Sequence, residues 1–292
     1  MPPRTRHPTA APPAPIPTPA PVELRRQILE DFQTLRIPLR PEQFDAVLAR
    51  AEHEGLSHLE FLRVLISEQA NQRRERSIAH RIREARFREG KTLADFDWQF
   101  NAASIDRVRI EALATGAFIT RKENLVFVGQ SGVGKTRIIE AIGRGVCARG
   151  YRVRYTTSAD LLTDLTAALA DQTLPCLLRE YVRFDLLIID EFGFDHIERS
   201  EGRQAASLLL KLIDARSLTR STALVTNIDF EAWGEYLGDP PLAMALLDRI
   251  VDGAIIVKIK GKSYRAHRAQ QANSASDQGN RSGGPARNTK DR

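Results

Sequence analysis

Residues Gly129-Gln130-Ser131-Gly132-Val133-Gly134-Lys135-Thr136 carry the strongest chemical signal in this chain of 292 residues. They follow the apolar run Leu125 to Val128 and open into a helix-like stretch through Ile138, Ile139 and Ile142. Glycines let successive backbone N–H groups face one centre, a helix start adds partial positive charge, and Lys135 supplies a mobile cation. That combination cradles phosphates. Thr136 offers a hydroxyl of the kind that sits on Mg²⁺, and Arg137 begins the helix with a further cation. The pattern predicts a nucleotide held by Gly129, Gln130, Ser131, Gly132, Val133, Gly134, Lys135, Thr136 and Arg137.

Hydrolysis needs a metal ligand and a group that activates water, and both types stand together further along. Leu186-Leu187-Ile188-Ile189 is a continuous apolar run ending in Asp190-Glu191, where strands of a doubly covered parallel sheet present ligands. Asp190 is expected to hold Mg²⁺ with Thr136. Glu191, one residue on, should point differently, because strand side chains alternate, and so serve as the base that polarises the attacking water. Asn227, at the end of the apolar run from Thr222, is placed to orient that water or sense the γ-phosphate. Arg249, beside Asp248, is either the guanidinium that a phosphoryl-transfer site needs or a surface arginine paired with Asp248 or Asp252.

The elements that must position these groups read as repeated strand and helix units. Arg152 to Thr156 alternates as a strand, and Ser158 to Leu169 reads as a helix capped by Ser158. An extra strand therefore lies between the two nucleotide motifs in sequence. Arg203 to Arg216 and Leu242 to Val251 read as helices, and Ala254 to Ile259 as a fifth strand. Units of this length imply an α/β fold with a five-stranded parallel sheet sandwiched by helices.

Upstream, Leu24, Ile28, Phe32 and Leu35, then Phe44, Val47 and Leu48, then Leu59, Phe61, Leu62, Leu65 and Ile66 mark a small all-helical domain. It runs into a basic stretch in which Arg73, Arg74, Arg76, Arg81, Arg83, Arg86, Arg88 and Lys91 far outnumber the acids. An excess of one sign, and arginine rather than lysine, favours contacts with the phosphates of duplex DNA, without a motif that reads bases. Net charge of +6 agrees with a polyanion partner. The Pro- and Ala-rich residues 1–22 and the polar residues 269–292 read as disordered tails. The two cysteines, Cys147 and Cys176, have neither metal nor redox spacing; reduced, buried thiols point to the cytoplasm, and no apolar run approaches a membrane span.

The chain resembles the IstB-like ATP-binding proteins, transposition helpers of insertion sequences that belong to the AAA+ ATPases and are related to DnaC-type helicase loaders. The resemblance covers about residues 30 to 265. It rests on Gly129 to Thr136, Leu187 to Glu191 and Leu224 to Asn227, and on Trp233-Gly234-Glu235, Gly238-Asp239-Pro240, Ala245 to Arg249 and Gly261-Lys262-Ser263-Tyr264-Arg265. Lys91 to Asp97 and Leu113 to Gly116 also look like the family's lead into its ATPase domain. The resemblance implies a P-loop NTPase of the AAA+ type at residues 101–268, behind a helical DNA-binding domain at 23–100. It implies that Arg249 is an arginine finger reaching a neighbouring subunit's ATP. The stretch after Arg249 is too short for a C-terminal lid domain, so a neighbour must close the nucleotide or leave it open. The expected function is an ATP- and Mg²⁺-dependent ATPase that oligomerises on duplex DNA, remodels it and presents it to a partner transposase. A helicase loader and a non-hydrolysing, nucleotide-dependent DNA clamp are the alternatives.

Overall fold

The computed structural model describes residues 20–90, 92–193 and 202–267, the side chains at 202, 203 and 205 excepted. Lys91 and both tails lie outside the described residues. Two compact units divide at Arg76/Ser77, not at residue 100.

The first unit holds helices α1 (Pro21–Thr34) and α2 (Pro41–Glu54) and most of α3 (His58–Ala85), whose last residues belong to the second unit. Proline opens α2, the Gln43 side chain accepts from the Arg40 N–H, and Gly55 ends it in the left-handed conformation. Leu39, Phe44, Val47 and Leu65 are the buried core, flanked by Ile28, Phe32 and Phe61. Of the apolar residues on α3, Leu59, Leu62 and Ile66 stay exposed.

The second unit is built on a parallel sheet of five strands: β1 (Leu125–Val128), β2 (Val153–Thr157), β3 (Leu186–Phe192), β4 (Ser221–Thr226) and β5 (Ile255–Lys258). Their spatial order is β2-β3-β4-β1-β5. In space it is therefore β4 that separates the phosphate-loop strand β1 from β3, while β2 is the strand that intervenes in sequence. Strand alternation sends Leu125 and Phe127 to one apolar core and Val126 and Val128 to the other. Helices α4 (Arg107–Leu113), α5 (Ala117–Thr120) and α6 (Lys135–Ala148) cover the first face. Helices α7 (Ser158–Ala170), α8 (Leu174–Val182), α9 (Gly202–Arg216), α10 (Trp233–Leu237) and α11 (Pro240–Val251) cover the second.

The unit boundary falls before residue 77 because the following stretch packs on the sheet's first face: Ala85 is fully buried there, with Ile82, Phe87, Leu93, Phe96 and Trp98 against it. Helix α7 is capped by Thr157, whose hydroxyl accepts from the Asp160 N–H at 3.0 Å. Ser158, the cap expected from sequence, is instead buried inside the helix start. Cys147 is buried as expected, but Cys176 is exposed. Among the described residues no helical domain follows β5 beyond a turn at 264–267, and no helix is long and apolar enough to cross a membrane.

Candidate functional site

The loop from Gly129 to Gly134 joins β1 to α6, and its residues Ser131 to Gly134 line a cavity of about 760 Å³, a volume suited to a ligand of nucleotide size. Its glycines answer to geometry. Gly132 and Gly134 take φ of 83° and 102°, a region that side chains disfavour. At Gly129 a Cβ would stand 2.2 Å from the Ile259 carbonyl oxygen, and at Gly132 one would stand 2.1 Å from Ser263 Oγ. Lys135 opens α6 and is only 6% exposed. Its Nζ donates to the carbonyls of Gly129 at 2.6 Å and Gln130 at 2.9 Å. Burial holds this ammonium below the ordinary lysine range, opposed by Asp190. Ser131, Gly132, Val133, Gly134, Thr136 and Arg137 also line the cavity. Arg137 leans over the Phe96 ring at 5.8 Å and donates to the Asp95 carbonyl.

Asp190 and Glu191 face the same cavity, although simple alternation would send them to opposite sides of β3. The cause is a bulge. Ile189 pairs with Leu224 and Phe192 with Thr226, so β3 spends one residue more than β4, and Glu191 takes a left-handed φ of 61°. Asp190 is 1% exposed. Tyr155 Oη donates to its Oδ2 at 2.9 Å and the Glu191 N–H to its Oδ1 at 2.7 Å. Burial, reinforced by Asp190, pushes the Tyr155 phenol far up, which keeps it a donor. A buried carboxylate with both oxygens oriented, beside a threonine hydroxyl and a phosphate cradle, suits Mg²⁺, which takes few protein ligands.

The charge pattern of the sequence groups Arg88 with a DNA-facing basic helix, and the structure separates it. The helix α3 ends at Ala85, Arg86 turns with φ of 60°, and Arg88 comes to Glu191, which lines the nucleotide cavity. Its Nη1 donates to Glu191 Oε1 at 3.0 Å. Arg73, Arg74, Arg76, Arg83 and Arg86 are exposed and Arg81 is half-buried. Of the residues expected at the nucleotide, Gly129, Gln130, Asn227 and Arg249 do not line the cavity. Asn227 lies just past β4, beside Gly193, with its Oδ1 buried and without a hydrogen-bond partner among the described residues. Arg249, on α11, donates to Asp214 at 2.9 Å and Asp248 at 3.0 Å, so within one chain it forms the surface pairing.

Sequence reading missed the cavity's walls. Phe96, Asp97 and Phe100 stand on one side and Tyr264 and Arg265 on another. The two segments are joined by the Asn101 amide, which donates to the Lys262 carbonyl and accepts from its N–H, each at 3.0 Å. The Tyr264 N–H donates to the Gly132 carbonyl at 2.9 Å. The signal was present, since Lys91 to Asp97 and Gly261 to Arg265 stood out as motifs, but only folding brings two stretches so far apart in sequence to one loop. Glu140 was also missed; a lone carboxylate within the apolar run Ile138 to Ile142 was its mark.

Comparison with known proteins places this site in a family. The model of the IstB-like ATP-binding proteins matches residues 31–272. A Geobacillus stearothermophilus protein named for ATP binding in insertion sequence IS5376 is 35% identical over 83% of this chain and 94% of its own length. Its counterpart in insertion sequence IS21 of Pseudomonas aeruginosa is 34% identical over 78% of this chain and 84% of its own. Among solved structures, the DnaC helicase loader superposes with a TM-score of 0.46 at 19% identity, covering 62% of this chain and 99% of that one. AMPPCP-bound DnaA from Aquifex aeolicus gives 0.47 at 20% identity, over 60% of this chain and 51% of that one. With the phosphate loop, the oriented carboxylate and the five-stranded order in place, the chain belongs to the IstB-like ATP-binding proteins.

Proposed function

We propose that this protein is an ATPase that binds duplex DNA, assembles on it with further copies of itself, and presents the remodelled DNA to a partner transposase. The observation that carries the hydrolytic part is the convergence of Lys135, Asp190 and Glu191 on one cavity. The loop from Gly129 to Gly134, with Lys135 and Arg137, binds the phosphates. Thr136 and Asp190 would hold Mg²⁺, whose charge offsets that developing on the phosphates. Tyr155 orients the Asp190 carboxylate. Glu191 orients and polarises the attacking water, and Asn227, one residue past β4, supports that arrangement from behind Gly193. Arg249 acts on a neighbouring subunit's nucleotide, a role compatible with its exposed position away from its own cavity.

Support for the DNA part is the row of exposed arginines on α3 and the basic balance of the chain. The transposase partner follows from the relatives' names, which tie those proteins to insertion sequences, and a site among DNA transactions implies the cytoplasm.

Separate placement of the lysine and the glutamate gives the test. Lys135→Ala should weaken ATP binding by at least about tenfold, since the phosphates then go without their charge-assisted bond to the ammonium. Glu191→Gln should leave ATP affinity unchanged and lower turnover on duplex DNA by about 100-fold or more. Normal turnover by the glutamine variant would remove Glu191 from the mechanism.

A further inference from the structure

Tyr155 stands opposite Ile188 in the β2–β3 register, on the sheet face covered by α6, and its hydroxyl reaches two residues along β3 to Asp190. What seats its ring comes from elsewhere in the chain. Phe87 packs on that ring at 6.3 Å between centres, and the Arg88 guanidinium lies 5.9 Å from the centre of the same ring. Phe87 in turn lies against the bare backbone of Gly143 on α6, where a Cβ would stand 2.7 Å from its ring. The backbone of this segment is pinned by Glu140, also on α6 and 1% exposed, whose two oxygens accept the N–H groups of Arg88 and Glu89, each at 2.9 Å. Those two bonds offset the cost of burying the carboxylate. Arg144, one turn further along α6, donates to the Glu89 carbonyl. None of the roles above uses Glu140.

We propose that Glu140 and Tyr155 are positioning residues that set the affinity for the metal ion. Helix α6 holds residues 87–89, that segment holds the Tyr155 ring, and the phenol holds the Asp190 carboxylate in the orientation that serves Mg²⁺. This rests on the reading of Asp190 as a metal ligand. Tyr155 is buried and neither it nor Glu140 lines the cavity, so both act through Asp190 and not on the nucleotide. A loose carboxylate would have to be ordered as the ion arrives, whereas one already held meets the strict geometry of Mg²⁺ without that cost. The helix that opens from the phosphate loop thus also supports the metal ligand on β3.

Hydrogen-bond partners of a metal ligand are worth about 10- to 100-fold in metal affinity. Tyr155→Phe keeps the ring and removes the hydroxyl. It should cut by about tenfold the gain in affinity for a fluorescent, non-hydrolysable ATP analogue when Mg²⁺ replaces EDTA. Affinity in EDTA should stay at the parent value, which a general loosening of the cavity would lower. Glu140→Gln, which replaces one acceptor by a donor, should lower the Mg²⁺ gain in the same direction and by less. In the Tyr155→Phe background it should change nothing further, because the support then holds a ring without a hydroxyl. An unchanged Mg²⁺ gain in Tyr155→Phe would overturn the inference, as would an equal loss of affinity in EDTA. Full additivity of the two substitutions would overturn it too, since they would then act by separate routes. Asp190→Asn keeps these failures apart from that of the underlying reading: if the Mg²⁺ gain survives in that variant, Asp190 is no metal ligand.

Discussion

At the scale of single residues, the environment of a side chain decides its chemistry more than its identity does. Lys135 and Asp190 are both buried in one cavity wall, and each is held by named partners: two loop carbonyls for the ammonium, a phenol and an N–H for the carboxylate. The cysteines show the same contrast without any catalytic role. Cys147 is buried on α6, and desolvation pushes its thiol up to about 12; Cys176 on α8 is exposed. Since the thiolate is the reactive form, iodoacetamide at pH 8 should label Cys176 in the native protein and spare Cys147. Mass spectrometry of the digested protein reads the outcome, and both should react once the chain is unfolded. Equal labelling of the native form would show that α6 opens readily from the sheet.

At the scale of elements, the bulge on β3 and the end of α3 do what regular geometry would not. A regular strand would separate Asp190 from Glu191, and the extra residue turns both toward the loop. A longer α3 would have carried Arg88 along a solvated face; ending at Ala85 sends it to Glu191 at the nucleotide cavity. The arginines that remain on the helix are the ones to which the proposed function gives the DNA. Replacing Arg73, Arg76 and Arg83 by Glu should weaken binding to duplexes of any sequence and flatten the salt dependence, by about 0.9 in log–log slope for each phosphate no longer neutralised. ATP affinity should not change. Fluorescence anisotropy across a salt series measures both. An unaltered slope would move the DNA-binding surface off this helix.

At the scale of the whole molecule, the proposed function makes the site half of a shared one. Arg249 pairs with Asp214 and Asp248 on the surface of α11, and among the described residues no lid domain covers the cavity. Arg249→Ala should therefore bind ATP normally and hydrolyse it about 1,000-fold more slowly, the usual cost of a missing arginine finger. Mixed with Lys135→Ala, it should regain part of the rate, because each variant keeps the half that the other lacks. Turnover across mixing ratios, with mixed assembly followed by sedimentation, gives the answer. No recovery at any ratio would mean that Arg249 does not act across subunits.

The sequence by itself determined the parts whose physics is local. A phosphate loop needs its glycines, lysine and threonine consecutively between a strand and a helix, so Gly129 to Thr136 was legible at once. The strands buried on both faces announced themselves as unbroken apolar runs, and with them came the sheet and its strand number, although β3 runs two residues past Asp190, to Phe192. Family motifs then tied those parts to one kind of protein. Tertiary structure alone decided what depends on register and on partners far away in sequence. The cap of α7 moved to Thr157 because helix ends are set within a residue by packing. The bulge at Glu191 depends on β4 pairing, which no local pattern records. Arg88 looked like one more cation of a basic run until Glu140, on the helix after the loop, fixed the backbone that delivers it. A charge pattern counts residues, whereas burial and hydrogen bonding choose the one that meets Glu191.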